Sequence, residues 1–169
     1  MSARRPILNQ TCAVASTSAE ARYRINFNDF PQRDSRIIAL DHDATRIVRD
    51  LALLPWEGGR FFFYGADAAG TEPQEAWLTN LDGQQLSLVE QISGSDSVVM
   101  IATQHADPEA AAFIGDVCAE HRVMSAAFLV GAAYHRVDVT LRVLRPNAMV
   151  LVVVQDEADL PDFLTALRV

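Results

Sequence analysis

Five short apolar runs constrain this chain more than anything else in it: Ile37 to Leu40, Arg60 to Tyr64, Ser97 to Thr103, Met124 to Val130 and Met149 to Val154. Each is bounded by turn or capping residues. None alternates apolar with polar residues as a half-solvated sheet does, and continuous apolar strands are those covered on both faces. Segments with helical spacing lie between them. Asp43 is read as the cap of ATRIVRDLALL, where Ile47, Leu51 and Leu54 face one side before Pro55 stops the helix. Asp107 caps PEAAAFIGDVCAEHR with Pro108 at the first helical position. Further helices are expected over Gln84 to Ile92, over Val137 to Leu144 with Pro146 as the stop, and from near Asp159, with Leu160, Phe163, Leu164 and Leu167 as a buried stripe.

Strand followed by helix, repeated five times, predicts right-handed crossovers and a parallel sheet with helices on both faces. The expected fold is therefore an α/β domain, a three-layer α/β/α sandwich of the Rossmann-like or flavodoxin-like kind with about five parallel strands. It is expected to span residues 36–169 as a single domain. Residues 1–35 have no sustained period and end in NDFPQRDS; they read as an N-terminal arm in which Tyr23 to Phe27 contributes one edge strand.

A length of 169 residues, half of them hydrophobic, suits one core that folds without staples. The net charge of −8 argues against nucleic-acid binding, which needs a basic surface to displace counterions, and against an anionic bilayer. All 14 basic residues are arginine, a bias expected of a GC-rich bacterial genome. With no lysine, the chain has no Schiff-base, Walker-type or catalytic lysine. Cys12 and Cys118 supply neither a disulfide framework nor a zinc ligand set, and Cys118 is read as a small buried apolar residue. The arginine pair at positions 4 and 5 precedes an apolar stretch broken by Asn9, Gln10 and Thr11, so export is not expected. No window approaches 18 apolar residues. The expectation is a cytoplasmic protein that forms homo-oligomers.

Ligands of open parallel sheets bind beyond the carboxyl ends of the strands. That rule selects Asp41 and His42 behind the first run, Gly65, Asp67 and Gly70 behind the second, Thr103, Gln104 and His105 behind the third, and Gly131 and His135 behind the fourth. Asp41, Asp67 and His105 are the candidate ligands should a cation bind. The segment GADAAG is not a dinucleotide loop, because Asp67 stands where the fingerprint G-x-G-x-x-G needs its second glycine, and a carboxylate there repels a phosphate. Gly65 is instead expected to supply a positive φ at the strand exit, and Thr71 to cap a short helix through EPQEAWLTNL. The run Phe61 to Phe63 is read as core.

The segment RIIALDHDATRIVRDLALL resembles the start of a response-regulator receiver domain, whose first strand ends in a magnesium-holding acidic cluster. That resemblance implies a phosphoacceptor aspartate at the end of the third strand, where this chain has Ile101-Ala102-Thr103, and a lysine near the fifth, which this chain lacks. A receiver of this kind is degenerate and not phosphorylated. The segment from Asp96 to Val130 resembles the core of tubulin/FtsZ-type nucleotide domains, with TQHADPEA in place of the glycine-rich phosphate loop. The functional expectation is a small-ligand-binding or regulatory domain that takes a small polar molecule at this rim, a nucleotide-related one among the candidates. The alternatives are a metal-assisted or acid/base enzyme using Asp41, Asp67, His105 and His135, and a non-catalytic oligomeric subunit.

Overall fold

A computed structural model of the chain describes residues 31–65, 76–131 and 137–169. In chain order the elements are β1 (Ser35–Ala39), α1 (His42–Leu51), β2 (Gly59–Gly65), β3 (Trp77–Asn80), β4 (Gln85–Ser87), α2 (Leu88–Ser93), β5 (Ser97–Ala102), α3 (Pro108–His121), β6 (Met124–Val130), α4 (Val137–Leu144), β7 (Val150–Val154) and α5 (Leu160–Ala166), the last preceded by a 3-10 turn at Glu157–Asp159. They form one seven-stranded sheet in the order β4-β3-β2-β1-β5-β6-β7. The five runs read from sequence are the five parallel strands β2, β1, β5, β6 and β7; β3 and β4 extend one edge antiparallel.

The central strands are apolar throughout because both faces are covered. Every residue of β1 and β5 is buried. On one face Ile38, Met100 and Leu129 meet Leu88 and Ile92 of α2, Ile114 of α3 and Leu144 of α4. On the other, Ile37, Ile101 and Phe128 meet Ile47 and Val48 of α1 and Leu160 and Leu164 of α5. The result is an α/β sheet with helices in two outer layers. Strand β6, MSAAFLV, illustrates which effect wins. Alanine favours helix by less than ~1 kcal/mol per residue, whereas burying Phe128 and Leu129 on opposite faces contributes roughly 1.5–3 kcal/mol each. Phe61, Phe62 and Phe63 are all buried, divided between the two faces.

Several local expectations are corrected. Asp41, not Asp43, caps α1: Asp41 has extended backbone and accepts from the Ala44 N–H, while Asp43 lies in the first turn, where its charge complements the helix dipole. The helix ends at Leu51, so Leu54 lies beyond it and is exposed. Trp77 to Asn80, expected as helix, is strand β3, and Gln85 to Ser87 is strand β4; α2 begins only at Leu88. The connecting turn explains both. Asn80 Oδ1 accepts from the N–H groups of Asp82 (3.0 Å) and Gln84 (2.8 Å), and Gly83 adopts φ +82°. Asp-Gly between apolar segments is a hairpin signal, and it overrides the helical spacing of QQLSLVEQI. Phe163 is 36% exposed although it stacks on Phe128 at 5.7 Å, so the stripe of α5 is narrower than expected. The expected edge strand at Tyr23 to Phe27 and the expected cap at Thr71 lie outside the described residues. No helix among the described residues is long and apolar enough to cross a membrane.

Cys118 is buried in α3 as expected, and burial pushes its thiol up to about 12. In a Cys12→Ser background, an aromatic disulfide reagent at pH 8 is therefore expected to react at least a hundredfold more slowly with native protein than with protein unfolded in guanidinium, since the thiolate is the nucleophile. Equal rates would contradict the buried assignment.

Candidate functional site

The chain leaves the sheet centre in opposite directions on the two sides of the β1/β5 boundary: from β1 through α1 to β2 on one side, and from β5 through α3 to β6 and β7 on the other. The carboxyl ends of β1 and β5 thus flank the topological switch point, where crossovers diverge and leave a crevice.

Asp41 spans this point. Its Oδ2 accepts from the Thr103 N–H at 2.7 Å, and its Oδ1 accepts from the Thr103 hydroxyl at 3.0 Å and from the Ala44 N–H at 2.8 Å. One carboxylate thereby caps α1 and clamps the exit of β5 to the exit of β1. The backbone supports the same closure through Leu40 N–H to the Ile101 carbonyl at 2.9 Å. Thr103, buried, accepts in turn from the His105 N–H at 3.4 Å. With the loop held from below, Gln104 and His105 are presented to solvent. Their side chains meet at 3.2 Å, between the Gln104 amide nitrogen and His105 Nε2. The Gln104 carbonyl accepts from the Thr140 hydroxyl of α4 at 3.3 Å, fixing the loop from above. Asp107 caps α3 through the Glu109 N–H at 2.9 Å, with Pro108 in the first turn, as expected.

The structure brings Asp41, Thr103, Gln104 and His105 into one hydrogen-bonded unit, with His42 beside it as the exposed first residue of α1. Gly131 follows β6 with φ +67° and donates to the Val154 carbonyl at 3.0 Å. Gly65 does not have the positive φ expected of it; it is the last paired residue of β2, opposite Trp77, because the antiparallel β3 prolongs the sheet there. Asp67, Gly70 and His135 lie outside the described residues. Among the described residues no group of three or more His, Cys, Asp or Glu side chains is arranged to hold a metal ion.

Two contributors escaped the sequence reading. Thr140 sits inside a helix, where a hydroxyl carries no positional signal. Tyr64 ends the aromatic run, and its phenol is raised above its usual value first by burial and then by the charges of Asp107 and Glu109. An aromatic with a polar tip at a strand's carboxyl end was the available clue.

The fold is an α/β domain with helices on both faces of a mostly parallel sheet, and Asp41, Thr103, Gln104 and His105 meet at its switch point. No protein-family model matches the chain, and no curated protein matches it. Among solved structures the chain is similar to proximal thread matrix protein 1 from the mussel byssus (9% identity, TM-score 0.38, 79% of this chain and 43% of that one) and to the human COPII-coat protein Sec24c (14% identity, TM-score 0.35, 85% of this chain and 33% of that one). The chain spans less than half the length of either.

Proposed function

We propose that the protein is a small-ligand-binding module, regulatory rather than catalytic, whose polar site lies at the carboxyl ends of β1 and β5. The observation that carries this reading is the Asp41 to Thr103 clamp, which holds the switch point rigid and leaves Gln104 and His105 exposed above it. A preformed loop with outward donors and acceptors loses little entropy when a polar molecule binds. An acid/base enzyme is less well supported. Both Asp41 oxygens already accept hydrogen bonds, at 2.7 to 3.0 Å, so this carboxylate is a poor general base.

Self-association belongs to the same reading. Strand β7 lies at the end of the described sheet, and Val150 and Val153 are 40% and 41% exposed on it, the sort of unguarded apolar edge that pairing covers. Sedimentation equilibrium with and without Val153→Lys distinguishes a dimer made there from a monomer.

Thermal denaturation with a panel of nucleotides, small carboxylates and divalent cations tests the site. A ligand at a hundred times its Kd stabilises the native state by about 2.7 kcal/mol, several degrees in Tm. At least one compound is expected to produce such a shift, and His105→Ala is expected to reduce it by half or more without changing the unliganded Tm. A flat response to the whole panel, or a shift untouched by His105→Ala, would sink this assignment.

A further inference from the structure

At the opposite end of the strands, a cleft of about 720 Å³ opens between the C-terminal half of α3, the start of β6 and the segment 146–149 before β7. Its volume falls within the roughly 300–1,000 Å³ usual for small-molecule sites. Ala119, Val123, Met124 and Met149 give it apolar walls. The polar groups inside are already engaged: the Ser125 hydroxyl accepts from the Met149 N–H at 3.2 Å, and the Asn147 amide donates to the Val143 carbonyl at 2.7 Å. The approach of α3 is set by Gly115, where a Cβ would stand 2.7 Å from Asn147 Cβ and 2.9 Å from its Cα.

Arg122 is the exception. It lines the cleft, is exposed, and forms no ion pair among the described residues, although this chain carries a net charge of −8 and Arg36, Arg46 and Arg60 all have carboxylate partners. It also occupies the left-handed region, φ 57° and ψ 35°, as the residue closing α3. Glycine is the inexpensive choice there, because at that φ the Cβ of an L residue crowds the following carbonyl oxygen. A second guanidinium, that of Arg33, lies against the cleft wall with Nη1 3.1 Å from the Met124 sulfur, a weak acceptor. Cationic groups that form no ion pair among the described residues therefore border an apolar cavity in an acidic protein.

We propose that this cleft binds an amphipathic monoanion, a carboxylate with an unbranched alkyl tail. The carboxylate pairs with the Arg122 guanidinium, which suits planar two-point recognition, and the tail packs between α3 and the 146–149 segment. The site is separate from the polar rim at the carboxyl ends.

Calorimetric titration of the full chain with decanoate, below its micellar concentration, is the test. Saturable one-to-one binding is expected, with decyltrimethylammonium failing to compete. Arg122→Gly is expected to weaken decanoate at least tenfold while leaving Tm unchanged or raised, because glycine relieves the left-handed backbone. Ala119→Trp, which fills the cleft, is expected to abolish binding, and His105→Ala to leave it intact. Absence of saturable binding, equal affinity in Arg122→Gly, or undiminished binding in Ala119→Trp overturns the proposal.

Discussion

Asp41→Ala is expected to destabilise the fold by about 3 kcal/mol, the largest effect of any single substitution at the rim. Two contributions add. Loss of the cap on α1 costs ~1 kcal/mol. The Thr103 N–H and hydroxyl, in a buried residue, lose their acceptors, and an orphaned buried polar group costs roughly 1–3 kcal/mol. Asp41→Ser separates the two: a serine hydroxyl caps the helix and does not reach Thr103, so its cost is expected to be about 2 kcal/mol. Asp41→Asn tests the charge, because its amide nitrogen opposes a donor at one of the Thr103 contacts. Urea denaturation with unchanged m-values is the measurement. An Asp41→Ala variant within 0.5 kcal/mol of the parent would mean that the clamp contributes nothing.

The second large effect belongs to the other end of β1. Arg36 is 3% exposed; its guanidinium makes two hydrogen bonds to the Asp34 carboxylate and donates through Nε to the Gln91 carbonyl at 3.0 Å. The arginine thereby ties β1 to α2, while Asp34 also meets Arg60 and, through its N–H, Asp96. Removing one partner of a buried pair costs ~3–5 kcal/mol because the remaining charge stays buried. Asp34 itself is 39% exposed, so water can partly replace it, and Asp34→Ala is expected to cost about 2 kcal/mol. Arg36→Met in the Asp34→Ala background is expected to recover part of that loss, since no cation is then left to compensate.

The pair also sets a pH dependence. The hydrogen bond from Arg36 lowers the Asp34 carboxyl below its ordinary 3.8, against the opposing effect of burial and with help from the charges of Arg36 and Arg60. A group whose folded value is depressed stabilises the native state fully above its unfolded value, and that contribution disappears as pH falls through the lower folded value. Stability is thus expected to fall on acidification below about pH 4, and Asp34→Asn to flatten that part of the curve. An acid limb identical in the two proteins would remove Asp34 as its source.

The central parallel strands were legible because burial on both faces writes itself as a continuous apolar run, as in SVVMIA of β5 and MSAAFLV of β6. The cap of α3 was legible because Asp107-Pro108 is a local signal, and the buried state of Cys118 and of the three phenylalanines followed from the same patterning. The β3-β4 hairpin was also written locally, in NLDGQ, yet the helical spacing that follows concealed it; three and four paired residues are too few to impose a period. The choice of Asp41 over Asp43 as cap turned on one residue's backbone, which spacing does not resolve.

What the sequence determined by itself is the alternation of apolar strands with amphipathic helices, and with it the α/β class. These are near-neighbour properties, set by periodicity and capping. Only the tertiary structure decided that β1 and β5 are adjacent, and so that Asp41 closes on Thr103, 62 positions away, and spends its carboxylate on holding the loop that presents His105. It likewise decided that Arg122, with no ion pair among the described residues, stands beside an apolar cleft. Pairings of that kind depend on strand order and on the close approach of Gly115 to Asn147, long-range contacts whose energies no local pattern encodes.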